Sequence, residues 1–263
     1  MSTETFPASA PLAGQNALIT GASKGIGKAI ALAFAAAGAN VAVNYNSDRE
    51  GAESVVTEIR AMGRRAIAIQ ADVARSEQVD ALFEQTLGSL SPLTILVNNA
   101  GVQTWKSLLA LREAEWDPVL DTNLKGCFLC TQRAARHMRE HGGGSIINLG
   151  SGCNKVPFPM LVNYTASKGG IEMFTRSAAV ELGKYGIRVN CAAPGAIEVE
   201  RTKNDGGDYA SLWAGVTPLA RIGTPADVAQ VAVFLASPQS GFVTGQTIWI
   251  DGGVFTKAVW PYE

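Results

Sequence analysis

Tyr164 and Lys168 stand four residues apart in a stretch that reads as helix, so their side chains share one face. A phenol is ordinarily too weak an acid to exchange its proton at neutral pH. An ammonium about 4 Å away, at an effective dielectric of about 20, favours the phenolate by roughly 4 kcal/mol. The pair can therefore shuttle a proton near neutrality, and Ser151, earlier in the chain, adds a hydroxyl. Taken alone, the same pair would read as two polar residues on an ordinary helix. A second cluster, Thr20-Gly21-Ala22-Ser23-Lys24-Gly25-Ile26-Gly27, lies where an apolar run turns into a helical pattern. Glycines there let the backbone approach a pyrophosphate, and the free N–H groups and dipole of the helix start favour its charge. The same residues also spell G-x-S-x-G, the nucleophile turn of serine hydrolases. That chemistry needs a His base, and the only His residues, His137 and His141, sit together near the end of one helical stretch.

These groups need a scaffold, and the alternation of patterns supplies one. Apolar runs predict strands at 16–20, 41–45, 66–71, 94–98, 145–149, 188–193 and 247–251. Amphipathic runs predict helices at 25–37, 49–62, 76–87, 117–141, 163–184 and 227–236. Strands that are apolar throughout, each followed by a helix, imply a parallel sheet covered on both faces. With right-handed crossovers this is a doubly wound α/β sheet. The stretches 151–162 and 194–224 break the alternation. Both follow the carboxyl ends of strands, where ligands bind in such sheets, and long loops of this kind usually bind or cover something. No linker or internal repeat interrupts the pattern. The expectation is one domain over 14–263, a flexible tail over 1–13, and a substrate loop at 194–224.

Composition excludes several classes. Lys and Arg total 22 against 23 Asp and Glu, a formal charge of −1, which argues against a nucleic-acid binder. No apolar run is long enough to span a membrane. The first residues lack the basic and apolar regions of a signal peptide, so a cytoplasmic location is expected. Four Cys are too sparse for a disulfide framework. Cys127-x-x-Cys130 falls inside a helical pattern with no second pair, so buried small apolar residues are expected there and no metal site. Asn163-Tyr164-Thr165 matches a glycosylation sequon, which has no meaning without secretion. A charged fraction of 17% is low and points to surface hidden between subunits. Phe255, Trp260 and Tyr262 follow the last strand and are expected to dock at a subunit contact or at the site mouth.

The Gly-rich turn, Asn98-Asn99-Ala100-Gly101 after strand four, Asn123, Ser151, Tyr164-x-x-x-Lys168 and Pro194-Gly195 fall in order along the chain. Together they resemble the short-chain dehydrogenase/reductase family over nearly the whole length, from about residue 12 to 254. The resemblance implies a single-domain Rossmann fold with a seven-stranded parallel sheet and helices on both faces. It implies a hydride-transferring oxidoreductase acting on CH–OH groups, assembled as a homotetramer. Tyr164 matches the family's catalytic acid/base, Lys168 the lysine that activates it and holds the nicotinamide ribose, and Ser151 the serine bonded to the reacting oxygen. Asn123 matches the asparagine that supports a relay water. For the cofactor, the resemblance points to Gly21, Ser23, Lys24, Gly25, Ile26 and Gly27, and to Asp72 and Val73 beside the adenine. It adds Asn99, Ala100 and Gly101, then Pro194, Gly195 and Ile197 at the carboxamide.

An acidic residue at the end of strand two would clasp the ribose of NAD and repel a 2′-phosphate. That position falls at Tyr45, followed by Asn46 and Ser47, and Lys24 resembles the basic residue of NADP-preferring members. NADP is expected as the preferred cofactor, with NAD possible. The run from Lys155 to Tyr164 and the Val-Asn-Tyr ending of strand two resemble the glucose 1-dehydrogenase branch. The loop after Pro194 carries Glu198, Glu200, Arg201, Lys203, Asn204, Asp205 and Asp208, a polarity suited to a sugar or polyol. Expected substrate contacts are Ser151, Cys153, Asn154, Tyr164 and Glu198, with Asn154 standing where that branch tends to carry an acid. The alternative substrate is a 3-oxoacyl group on an acyl carrier protein, for which Arg133, Arg136 and Arg139 on one helix offer a basic face. A non-catalytic NAD(P) sensor is the alternative of another class, opposed by the presence of both Tyr164 and Lys168.

Overall fold

The computed structural model describes residues 10–200, 202 and 208–257. Among them seven strands form one parallel sheet. These are β1 (Asn16–Ile19), β2 (Asn40–Tyr45), β3 (Ala66–Gln70), β4 (Ile95–Asn98), β5 (Gly144–Leu149), β6 (Ile187–Pro194) and β7 (Thr247–Ile250). Their spatial order is β3-β2-β1-β4-β5-β6-β7. The strands hold no Gly or Pro in their interiors, and alternate residues serve opposite cores. Ala17 and Ile19 face one apolar cluster and Leu18 the other. The first cluster includes Phe34 of α1 (Gly25–Ala36), Val55 of α2 (Arg49–Ala61) and Leu235 of α8 (Pro225–Ala236). The second includes Leu82 of α3 (Ser76–Ser89), Met138 of α5 (Gly126–Glu140) and Ala178 of α6 (Val162–Leu182). Helices therefore cover both faces of the sheet, as the sequence predicts. Strand order reverses between β1 and β4, which opens a crevice at their carboxyl ends.

The structure departs from the expected elements in three places. Residues 10–13, assigned above to a flexible tail, are packed. The Leu12 side chain is fully buried, its N–H donates to Ala37 O at 2.9 Å, and a Cβ on Gly38 would lie 2.9 Å from Ala13 Cα. The helix expected at 117–141 begins earlier, at Glu113, and runs to Glu140 with a π-helical turn at Asp121–Lys125 between α4 (Glu113–Leu120) and α5. Such single-turn bulges re-aim one side chain, often at a functional site, and here that residue is Asn123. The irregular stretch at 194–224 contains a helix, α7 (Tyr209–Val216), N-capped by Asp208, whose side chain accepts from Ser211 N at 3.3 Å. A bridge between Ile197 and Gly223 pinches the base of this loop. Arg201, Lys203, Asn204, Asp205, Trp260 and Tyr262 lie outside the described residues.

Candidate active site

A cleft of about 830 Å³ lies over the strand reversal at the carboxyl end of the sheet. One wall is the turn between β1 and α1. Gly21 and Gly25 take left-handed backbone angles, φ +61° and +57°. A Cβ on Gly27 would run into Gly21 O and come within 2.5 Å of Asn99 Nδ2. The turn is buttressed from β4: Asn99 Nδ2 donates to Thr20 O at 2.9 Å and to Gly21 O at 2.8 Å. Thr20 Oγ1 accepts from the N–H groups of Asn99 and Ala100, each at 3.0 Å. From β2, Asn44 Oδ1 accepts from Gly21 N at 3.2 Å and its Nδ2 donates to Ala71 O at 3.0 Å. Lys24 holds the N-cap position of α1 in extended conformation. It gives no side-chain cap, and the first turn of α1 carries no acidic residue. A dinucleotide pyrophosphate fits this cradle, because the uncapped N-terminal amides of α1 begin at a turn whose Gly21, Gly25 and Gly27 bring no Cβ to it.

The facing wall carries the proton-transfer group. Ser151 follows β5 and closes a 3₁₀ turn: its Oγ accepts from Cys153 N at 3.3 Å and its N–H donates to Asn154 Oδ1 at 3.1 Å. Tyr164 and Lys168 lie in the first turns of α6. Lys168 is only 5% exposed; its Nζ donates to Leu149 O at 2.6 Å and lies 5.5 Å from the Tyr164 ring centre. An ammonium carries three donors, and Leu149 takes one. The start of α6 is anchored by buried Asn163, whose Nδ2 donates to Glu115 O at 3.0 Å and whose Oδ1 accepts from Tyr164 N at 2.8 Å. Its amide is thus enclosed in the packing, where no glycan could be attached. Glu115 also clasps the loop before α4: hydrogen bonds from Arg112 and then from Lys106 hold its carboxyl well below the usual range, at about 2. Behind the wall, Asn123 Nδ2 donates to Val102 O at 2.9 Å and Ser167 Oγ at 3.0 Å, while its Oδ1 accepts from Val102 N at 2.8 Å.

The cleft brings together nearly all the residues named from sequence. Gly21, Ser23, Lys24, Gly25, Ile26, Gly27, Tyr45, Asn46, Ser47, Asp72, Val73, Asn99, Ala100 and Gly101 border it. So do Ser151, Cys153, Tyr164, Lys168, Pro194, Gly195 and Ile197. Three placements differ from expectation. Asn154 does not line the cleft, because its side chain closes the turn over Ser151 and approaches Cys191 Sγ at 3.9 Å. Glu198 does not line it either; its backbone joins the bridge to Gly223, and Glu200 borders the cleft instead. Tyr45 borders the cleft but its side chain is buried in the α1/α2 core, so the exposed groups at the end of β2 are Asn46 and Ser47.

Asn44, Phe158, Tyr209 and Trp213 border the cleft without having been singled out from sequence. Asn44 carries a signal in retrospect, as a polar residue inside an apolar strand. Phe255, expected at a subunit contact or site mouth, also lines the cleft. Cys127 and Cys130 are buried on α5, and burial pushes the Cys130 thiol up to about 12, as expected of inert packing residues.

The family described as enoyl-(acyl carrier protein) reductase matches residues 21–255. A 3-oxoacyl-[acyl-carrier-protein] reductase of Staphylococcus aureus is 44% identical over 92% of this chain and 98% of its own length. A putative short-chain alcohol dehydrogenase from Sinorhizobium meliloti superposes with a TM-score of 0.90 at 40% identity, covering 94% of this chain and 98% of that one. A gluconate 5-dehydrogenase from Burkholderia cenocepacia, solved with NADP and tartrate, superposes with a TM-score of 0.88 at 35% identity, covering 94% and 97%. The chain belongs to the short-chain dehydrogenase/reductase family, NAD(P)-dependent oxidoreductases that act on CH–OH groups.

Proposed function

We propose that the protein is an NADP(H)-preferring oxidoreductase that interconverts a secondary alcohol and a ketone on a small, free substrate. The carrying observation is that Ser151, Tyr164 and Lys168 share the wall opposite the Gly-rich turn. The bound nicotinamide supplies the hydride acceptor or donor. In the oxidative direction Tyr164 Oη takes the hydroxyl proton as hydride leaves the carbinol carbon, which becomes the carbonyl. Ser151 Oγ donates to the substrate oxygen and orients it. Lys168 Nζ, already fixed by Leu149 O and 5.5 Å from the Tyr164 ring centre, bonds the ribose hydroxyls. Asn123 holds the backbone at Val102 and, through it, the relay behind the tyrosine. Gly21, Ser23, Lys24, Gly25, Ile26 and Gly27 take the phosphates, Asp72 and Val73 the adenine, Asn99, Ala100 and Gly101 the ribose side. Pro194, Gly195 and Ile197 take the carboxamide. Preference for NADP rests on Lys24 and on Asn46 and Ser47 at the end of β2, while Asp48, the acid that follows them at the cleft, is engaged in capping α2, where its Oδ1 accepts from Gly51 N at 3.1 Å.

The sugar or polyol expected from loop polarity loses two of its contacts, because Asn154 and Glu198 do not line the cleft. A 3-oxoacyl carrier substrate is favoured by the Staphylococcus relative. Against it, Arg133 of the basic face is paired with Asp80 at 2.8 Å and Arg139 with Glu140 at 3.1 Å. Steady-state rates with NADPH on acetoacetyl-CoA, on small ketones and, with NADP⁺, on glucose and other aldoses test the proposal. Small ketones should give the highest kcat/KM; exclusive turnover of the thioester or of aldoses refutes it. A homotetramer in the cytoplasm is proposed with this activity. Phe128 on α5 and Met173 and Val180 on α6 are exposed apolar groups suited to a helix–helix interface. Light scattering should give about four times 27.6 kDa at micromolar concentration, and a monomer would refute the assembly.

A further inference from the structure

The cleft is lined on one side by aromatic rings from three separate parts of the chain. Phe158 comes from the loop before α6, Trp213 from α7 and Phe255 from the segment after β7. Each touches the other two edge-to-face. Ring centres are 6.0 Å apart for Phe158 and Trp213, 5.7 Å for Phe158 and Phe255, and 6.4 Å for Trp213 and Phe255. Tyr209 extends the surface, 6.3 Å from Trp213. All four border the cleft and none is fully buried. Phe255 is held in place by one carboxylate: Asp251 Oδ1 accepts from Gly253 N at 2.9 Å and Oδ2 from Phe255 N at 3.2 Å. Its ring lies over Gly152, the residue after Ser151, where any Cβ would collide with it. A Cβ on Gly195 would also meet the ring, at 3.5 Å. The ring therefore packs on the residue that follows Ser151.

Hydroxyl groups pressed against such a surface lose water without gaining a partner. A flat apolar ring instead adds edge-to-face or offset contacts to rings already arranged that way. We propose that Phe158, Trp213 and Phe255 form a specificity wall that selects secondary alcohols and ketones bearing a flat apolar ring next to the reacting carbon. This rests on the ketone/alcohol reading above and narrows its substrate class.

The test compares acetophenone with 2-octanone, two ketones of equal carbon number that differ in the ring. Their affinities for the NADP⁺-bound enzyme are measured by isothermal titration calorimetry, and their kcat/KM values with NADPH. Wild type should prefer acetophenone by at least about 10-fold, the product of several ring contacts of about 2- to 12-fold each. Phe255→Ala should lower the preference by about 2- to 12-fold, and Phe255→Leu, which keeps volume without the ring, should lower it too. Trp213→Ala, on the outer helix of the loop, provides the same readout should the Phe255 variants fail to fold. Equal affinity for the two ketones in wild type overturns the proposal. So does an equal weakening of both ketones in the variants, which would mean that the rings merely close the loop. Preferential binding of acetophenone without turnover of either ketone sustains the wall and refutes the ketone/alcohol reading. Equal binding with turnover of both does the reverse.

Discussion

The proposed preference for NADP rests first on Lys24. It is exposed at the start of α1 and borders the cleft, across from Asn46 and Ser47 at the end of β2. A 2′-phosphate bound there gains a charge-assisted hydrogen bond, about 1.5–3 kcal/mol in a sheltered setting. Lys24 is open to water and salt, so the contribution falls to roughly 1–2 kcal/mol. That corresponds to about 5- to 30-fold in the ratio of NADP to NAD specificity. Lys24→Ala should lower the kcat/KM ratio of NADP over NAD by that factor, chiefly through KM for NADP. Raising salt should shrink the wild-type preference and leave the variant nearly unaffected, because only the charged contact is screened. Ser47→Asp should move the ratio the same way by repelling the phosphate. Tyr45 is unsuited to this purpose: its side chain is buried in the core, and an aspartate there would place an unpaired carboxylate among apolar groups. The assay is the paired kcat/KM measurement at two ionic strengths. An unchanged ratio in Lys24→Ala, or a salt dependence identical to wild type, refutes the reasoning.

Tyr164→Phe keeps the ring and removes the titrating hydroxyl. Turnover should fall at least about 100-fold while calorimetry shows cofactor binding intact, and near-normal turnover would defeat the assignment. Gly27→Ala forces a Cβ onto Gly21 O and Asn99 Nδ2, an overpacking of about 1–3 kcal/mol. Its melting temperature should drop by roughly 2–12 °C and its cofactor affinity should fall, whereas an unchanged melt would show that the turn yields freely. His137 accepts from Leu93 N through Nε2 at 3.1 Å and stacks on His141, and burial followed by His141 lowers its pKa below the ordinary 6.5. Its neutral form therefore contributes stability above about pH 6.5, and that contribution is lost as pH falls through the lowered folded value. Thermal melts from pH 8 to 5 should show a wild-type loss that His137→Gln flattens; parallel curves for the two proteins would contradict it.

Much of this molecule was legible along the chain because its signals are local. Seven apolar runs separated by six helical patterns require a covered parallel sheet wherever the strands end up in space. Gly21, Gly25 and Gly27 stand where only a residue without a Cβ can sit, and Tyr164 and Lys168 share a face by helical period alone. Tertiary structure decided what depends on where a side chain turns after its backbone is placed. Asn154 and Glu198 looked like substrate contacts by their position in loops, yet hydrogen bonding within the turn takes one away and the Ile197–Gly223 bridge the other. The end of β2 seemed to present Tyr45, but strand alternation sends that side chain into the core and leaves Asn46 and Ser47 outside. A π-helical turn at Asp121–Lys125 widens the helix that periodicity read as regular, and Asn123 within it is buried and bonded to Ser167. Phe158, Trp213 and Phe255 lie up to 97 residues apart, counting 255 − 158. No spacing rule joins them, because their contact exists only once β7, α7 and the loop before α6 converge on the carboxyl end of the sheet.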